Sequence, residues 1–154
     1  MAIGGDMKKT LKKCIKEFVD DQVLLKEYSK VDNLSAPNYD AKFTIKIGKR
    51  INKNLELILQ SQEGINEFQK LLRSENDYIK FLVARFLYPV MKKESMSIMM
   101  KYLKTLKDKI EIYEVKTVIE GLKNNQKVFV DQFKKLYGCD DLDSLNQEKG
   151  TNKE

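Results

Sequence analysis

Apolar residues recur along this chain at intervals of three and four, and that rhythm is the one of helices. Leu11, Ile15, Phe18, Val19, Gln22, Leu25 and Tyr28 keep it over a first segment; Tyr39, Phe43, Ile47, Ile51, Leu55, Ile58 and Leu59 keep it over a second. Residues so spaced share one face of a helix, whereas a half-buried strand alternates by two. Seven glycines and two prolines in 154 residues leave little material for the tight turns of a β protein.

Breaks in the rhythm mark the helix ends. Asp6 is placed to cap a first helix over residues 7–31, and residues 33–38, with Ser35 and Pro37, separate it from the second. Gly48 interrupts the second helix at a cost of about 1 kcal/mol against Ala, which a close helix crossing there would explain. Residues 60–64 form the next break, and the units shorten beyond it. Ile65, Phe68, Leu71 and Leu72 give one short helix, and Tyr78, Phe81, Leu82, Arg85 and Phe86 another, which Pro89 ends or kinks near Tyr88. Met96, Met99, Met100 and Leu103, then Ile112, Val115, Val118, Ile119 and Leu122, then Val128, Phe129, Phe133 and Leu136 give three more. The expected caps are Asp77 for the helix from Tyr78 and Ser95 for that from Met96, with Asn124-Asn125 as the exit after Leu122 and Gly138 as a C′ glycine after Leu136. About seven helices on short turns pack mostly antiparallel to their neighbours, an all-α fold. Residues 1–138 read as one domain and residues 139–154 as a polar, disordered tail, in which Leu142 and Leu145 are the candidates for local docking.

Composition removes several chemistries. The chain has no His, so zinc hydrolase and His-dependent triad mechanisms are excluded. Cys14 and Cys139 lie far apart and outside any C-x-x-C spacing, and the opening residues 1–6 carry no hydrophobic leader. Both point to a reducing cytoplasm with two free thiols. No apolar run approaches the roughly 18–20 residues of a membrane span. The adjacent pairs Asp20-Asp21 and Asp140-Asp141 lack the further ligands that Ca²⁺ or Mg²⁺ requires and read as solvated surface. Gly4-Gly5 follows no strand, so no phosphate loop is present and neither cofactor nor metal is expected.

The middle of the chain resembles a HEAT-type helical repeat. The run Phe68-Gln69-Lys70-Leu71-Leu72, the turn Ser74-Glu75-Asn76-Asp77 and the helix Leu82-Val83-Ala84-Arg85-Phe86-Leu87 carry the likeness. The resemblance implies that Asp77 and Lys80 (or Arg85) are the acid and base that pair across neighbouring repeats. Over about residues 11–124 the layout is similar to a bacterial family of small HEAT-like helical repeat proteins of unknown function, an α-α superhelix. It implies a bacterial origin and, as for some small helical proteins of this kind, service as an immunity factor against a partner toxin. The chain departs from a true solenoid in having at most two repeat-sized pairs, fewer than the roughly three that stacking normally needs, so the first two helices would act as a cap.

One charge pattern carries a functional reading. Lys42, Lys46, Lys49, Arg50 and Lys53 fall between Ala41 and Asn54 with no acid among them. At 100° per residue the four lysines lie within roughly a 60° arc, with Arg50 just beside it. The apolar residues of this helix centre on the opposite side. Such a stripe is either a solvated face or a surface for anions: an acidic protein, or a nucleic-acid backbone, for which five neutralised phosphates give a salt slope of about −4 to −5. No Trp is present, and no aromatic is interleaved with the stripe to stack on bases. Met91, Met96, Met99 and Met100 read as core more readily than as an adaptable surface. An enzyme on this scaffold would need a cleft acid, with Glu114 and Asp77 as candidates. The expectation is a non-enzymatic protein-binding module facing an acidic partner, with nucleic-acid binding as the alternative.

Overall fold

A computed structural model describes residues 3–28 and 40–138, with side chains from Thr10 onward. Among these residues the protein is all-α, with seven helices: α1 (Ile3–Tyr28), α2 (Ala41–Leu59), α3 (Gln62–Gln69), α4 (Asp77–Phe86), α5 (Lys92–Thr105), α6 (Lys109–Lys123) and α7 (Lys127–Tyr137). A single 3₁₀ turn covers Lys70–Arg73, and no strand is found among the described residues. No described helix is long and apolar enough to cross a membrane. The contacts group the chain into two compact units, Met1–Glu67 and Phe68–Glu154, with the boundary inside α3. Tyr39, Cys139 and the segment 139–154 lie outside the described residues.

In the first unit α1 packs on α2. Tyr28 meets Asp40 and Phe43, Asp21 meets Arg50, and Glu17 meets Asn54. The numbers fall along one helix as they rise along the other, so the pair is antiparallel. Leu11, Cys14 and Phe18 of α1 are buried, as are Ile47, Ile51, Leu55, Ile58 and Leu59 of α2. The α2 face is the predicted one. That of α1 is turned toward Cys14 and Asp21, while Ile15 and Val19 are only half-buried. Periodicity could not find this, because a carboxylate gives no apolar signal.

The second unit is built around α4, of which Ile79, Phe81, Leu82, Val83, Ala84 and Phe86 are all buried. Ala84 has no accessible surface, and a larger side chain there would keep neighbouring elements apart. Helix α4 packs on α5, α5 on α6 and α6 on α7, and the 3₁₀ turn packs against α4. Residues 87–91 follow α4 as a buried connection around Pro89. The buried Tyr137 hydroxyl donates to the Phe86 carbonyl at 2.7 Å, joining the end of α7 to the end of α4. Met99, Leu122, Phe133 and Leu136 complete the core.

Several helix ends differ from expectation by a few residues, each for a local reason. Asp6 lies within α1 rather than before it. Asp40 caps α2, its carboxylate accepting from the Lys42 N–H at 3.0 Å. Ser61 ends the second break early: its hydroxyl accepts from the Gly64 N–H at 3.0 Å, so α3 already runs at Gln62. Asn76, not Asp77, caps α4 through the Ile79 N–H. Residues 92–95 are the first turn of α5, so Ser95 lies inside the helix rather than at its cap; it is buried, and its Oγ has no hydrogen-bond partner among the described residues. Asp108 caps α6 through the Glu111 N–H. Asn125 (φ 51°) and Gly138 (φ 65°) take the left-handed conformation that these residue types tolerate at helix exits.

Two glycines have opposite meanings. A Cβ on Gly48 meets nothing within 4 Å, so no close helix crossing accounts for it. A Cβ on Gly64 would collide with the Ile58 carbonyl oxygen, backbone that cannot swing away. Gly48→Ala should stabilise the protein by about 1 kcal/mol and Gly64→Ala destabilise it by about 1–3 kcal/mol, both read from urea unfolding followed by circular dichroism.

The rings of Phe81 and Tyr102 stack at 5.0 Å, with Tyr78 6.5 and 6.4 Å from them. Burial pushes the Tyr102 hydroxyl up from its ordinary 10 to about 12, helped by the negative charges of Glu111 and Asp77. The folded state therefore holds this proton more tightly than the unfolded chain does. Its stabilisation is complete below pH 10 and is lost as pH rises toward 12. Thermal unfolding between pH 9 and 11.5 should show a falling melting temperature, and Tyr102→Phe should flatten the fall; an unchanged slope would remove Tyr102 from this account.

Candidate binding surfaces

The structure divides the five cations of the α2 stripe into two sets. Lys42, Lys46, Lys49 and Lys53 are exposed, and their ammonium groups form no ion pair among the described residues. Arg50 is engaged. Its Nε–H donates to Asp21 Oδ2 and its Nη2–H to Asp21 Oδ1, both at 2.7 Å, and Glu17 Oε2 lies 3.7 Å from Nε. The Asp21 side chain is only 5% accessible, so Asp21 is a buried ion-pair member rather than solvated surface. Its neighbour Asp20 does face solvent, 2.9 Å from Lys16. Asn54, itself buried, donates to Glu17 at 2.8 Å and extends the polar seam. Attraction from both carboxylates, with the Asp21 hydrogen bonds foremost, raises the Arg50 pKa further. Arg50 was legible as a cation but not as a clasp, since its partner lies 29 residues away on another helix.

Two further features set α2 apart. Its first turn carries no acid and its last turn no base, whereas α4, α5 and α6 each carry an acid in the first turn and a base in the last. A helix N-terminus has a partial positive charge felt within its first turn, so Lys42 stands where a cation is disfavoured. The other feature is apolar. Ile45 is 58% and Leu57 47% accessible, and at 100° per residue they flank the lysine arc on its two sides.

The second unit holds a different surface. An open groove of about 620 Å³ is lined by Tyr88 of the connection after α4, by Lys92, Lys93, Met96, Ser97 and Met100 of α5, and by Lys123 at the end of α6. The Lys92 ammonium lies 5.9 Å over the Tyr88 ring. The methionine cluster is therefore shared: Met91 and Met99 are core, while Met96 and Met100 line the groove, Met100 being 38% accessible.

Of the repeat-type residues, Lys80 lies 3.8 Å from Asp77 one turn earlier in the same helix. Arg85 forms no ion pair or hydrogen bond among the described residues; its guanidinium lies 5.0 Å over the Phe86 ring, and burial lowers its pKa. Asp77 and Glu114 are both exposed, and neither lines the groove of the second unit. Among the described residues no three Cys, Asp or Glu side chains gather as a metal site. Cys14 is buried and free, and burial together with Glu17 raises its thiol pKa. Compared with known proteins, the chain matches no family model, no curated protein and no solved structure.

Removing Arg50 takes from the Asp21 carboxylate its counter-charge and the donors to both its oxygens, the costly way to break such a pair. Arg50→Ala should lower the urea midpoint by more than alanine at Lys42, Lys46, Lys49 and Lys53 together. Adding Asp21→Asn should recover part of the loss. A midpoint no lower than that of Lys49→Ala would contradict the clasp.

Proposed function

We propose that the protein is a non-enzymatic binding module that presents the outer face of α2 to an acidic surface of another protein. The supporting observation is the make-up of that face: four exposed lysines with no acid among them, bordered by exposed Ile45 and Leu57. A phosphate backbone rewards the charges but leaves exposed aliphatic side chains in water, whereas a protein partner covers both. Lysine charge then serves encounter and register, and the aliphatic pair supplies apolar burial. The run of residues 68–72, the acidic turn of residues 74–77 and helix α4, which packs against the 3₁₀ turn, suit a HEAT-like scaffold, the architecture on which this reading rests. A toxin neutralised by this chain would have to carry an acidic, partly apolar face.

The alternative is nucleic acid held by the same lysines. With Arg50 committed to Asp21, four cations remain, and the expected slope of log affinity against log salt falls to about −3.6. Partner capture from the native host at low salt, by the wild-type chain and by Lys46→Glu with Lys49→Glu, tests the reading. The wild type should retain a specific protein and the double variant lose it at least tenfold, while Ile45→Ser weakens retention at unchanged charge. Salt-steep binding of a plain DNA duplex, insensitive to Ile45→Ser, would decide for the nucleic-acid reading instead.

A further inference from the structure

The groove of the second unit has a chemistry that the segment following α7 matches. Its apolar floor is Tyr88, Met96 and Met100, with Met96 and Met100 one turn apart on α5 and methionine able to adapt to an irregular ligand. Its rim carries the cations Lys92, Lys93 and Lys123, and among the described residues no carboxylate lines it. The ligand that fits is short, aliphatic and acidic. Residues 140–145, Asp140-Asp141-Leu142-Asp143-Ser144-Leu145, supply three carboxylates and two leucines three positions apart.

Covalent placement strengthens the match. The Tyr137 hydroxyl is fixed to the Phe86 carbonyl, two residues from Tyr88 in the groove wall. Gly138 then ends α7 in the left-handed conformation, with its N–H bonded to the Lys134 carbonyl. Asp140 is two residues further on, and an extended chain covers about 3.3–3.6 Å per residue. So short a tether holds the segment near the groove at an effective concentration of about millimolar, where even weak contacts become occupied.

We propose that segment 140–145 docks in this groove within the same molecule, its leucines against Met96 and Met100 and its aspartates against Lys92, Lys93 and Lys123. The groove is thereby a receptor for acidic-aliphatic peptides, covered in cis by this segment. The proposal is independent of the reading of α2, which concerns the other unit.

Amide hydrogen exchange on the full chain tests it. In the wild type the amides of residues 140–145 should exchange about tenfold slower than in a free peptide of the same sequence, the factor that docking by about 1.4 kcal/mol produces. Lys92→Glu with Lys123→Glu should abolish that protection while exchange in α4 and α6 stays slow, which shows that the unit remains folded. Adding Asp140→Lys, Asp141→Lys and Asp143→Lys to that variant should restore it. Exchange at the free-peptide rate in the wild type overturns the proposal. So does protection that survives Lys92→Glu with Lys123→Glu, which places the segment elsewhere. Protection that grows with protein concentration assigns the groove to the segment of a second copy and overturns docking in cis.

Discussion

Asp21 has almost no access to water, and α1 can hold a carboxylate there because Arg50 meets both of its oxygens. A buried charge of this kind tolerates little error in position, so the pair acts on register more than on net stability. With Asp21 opposite Arg50, Asn54 falls opposite Glu17, and Tyr28 reaches Asp40 and Phe43 at the other end. The same register turns Ile47, Ile51 and Leu55 inward and leaves the lysines outside. A slip of one helical turn would bring a lysine's flexible ammonium to Asp21, and a lysine cannot reproduce the two-pronged guanidinium contact.

The helices and most of their apolar faces were readable from periodicity because core burial leaves a signal at every third or fourth residue. Ile47, Ile51, Leu55, Phe133 and Leu136 are buried where the rhythm places them. Less legible was anything settled by a partner distant in sequence. Cys14 and Asp21 joined a buried face that apolar spacing assigned to Ile15 and Val19, and the charge of Arg50 alone did not reveal its engagement. Cap positions were missed by one to four residues, by one where two candidates stood side by side as with Asn76 and Asp77, since only geometry tells which side chain reaches an orphan N–H. Of the lysine stripe, the four exposed members were readable because they share an arc on one helix. The groove was not, since its lining comes from three separate stretches of chain.

The two surfaces share a chemistry while differing in form. Both combine lysine with aliphatic or thioether side chains, and both would favour acidic, partly apolar ligands. On α2 the charges stand on a convex face suited to a broad partner. In the second unit they rim a concavity sized for a few residues. The methionines illustrate how one residue type serves two ends on a single helix: Met99 fills the core and Met100, one residue on, faces the groove.

The Tyr137 to Phe86 bond joins groups 51 residues apart, which bears on the order in which the chain can fold as it leaves the ribosome. The clasp between α1 and α2 lies wholly within the first 67 residues, so that pair can close while later helices are still being made. The second unit has no such freedom. Helix α4 emerges early and strongly apolar, yet the hydroxyl that donates to its last carbonyl arrives only with the end of α7. Until then α4 is the stretch most in need of shelter, and the second unit is where a stalled or shortened nascent chain would first aggregate.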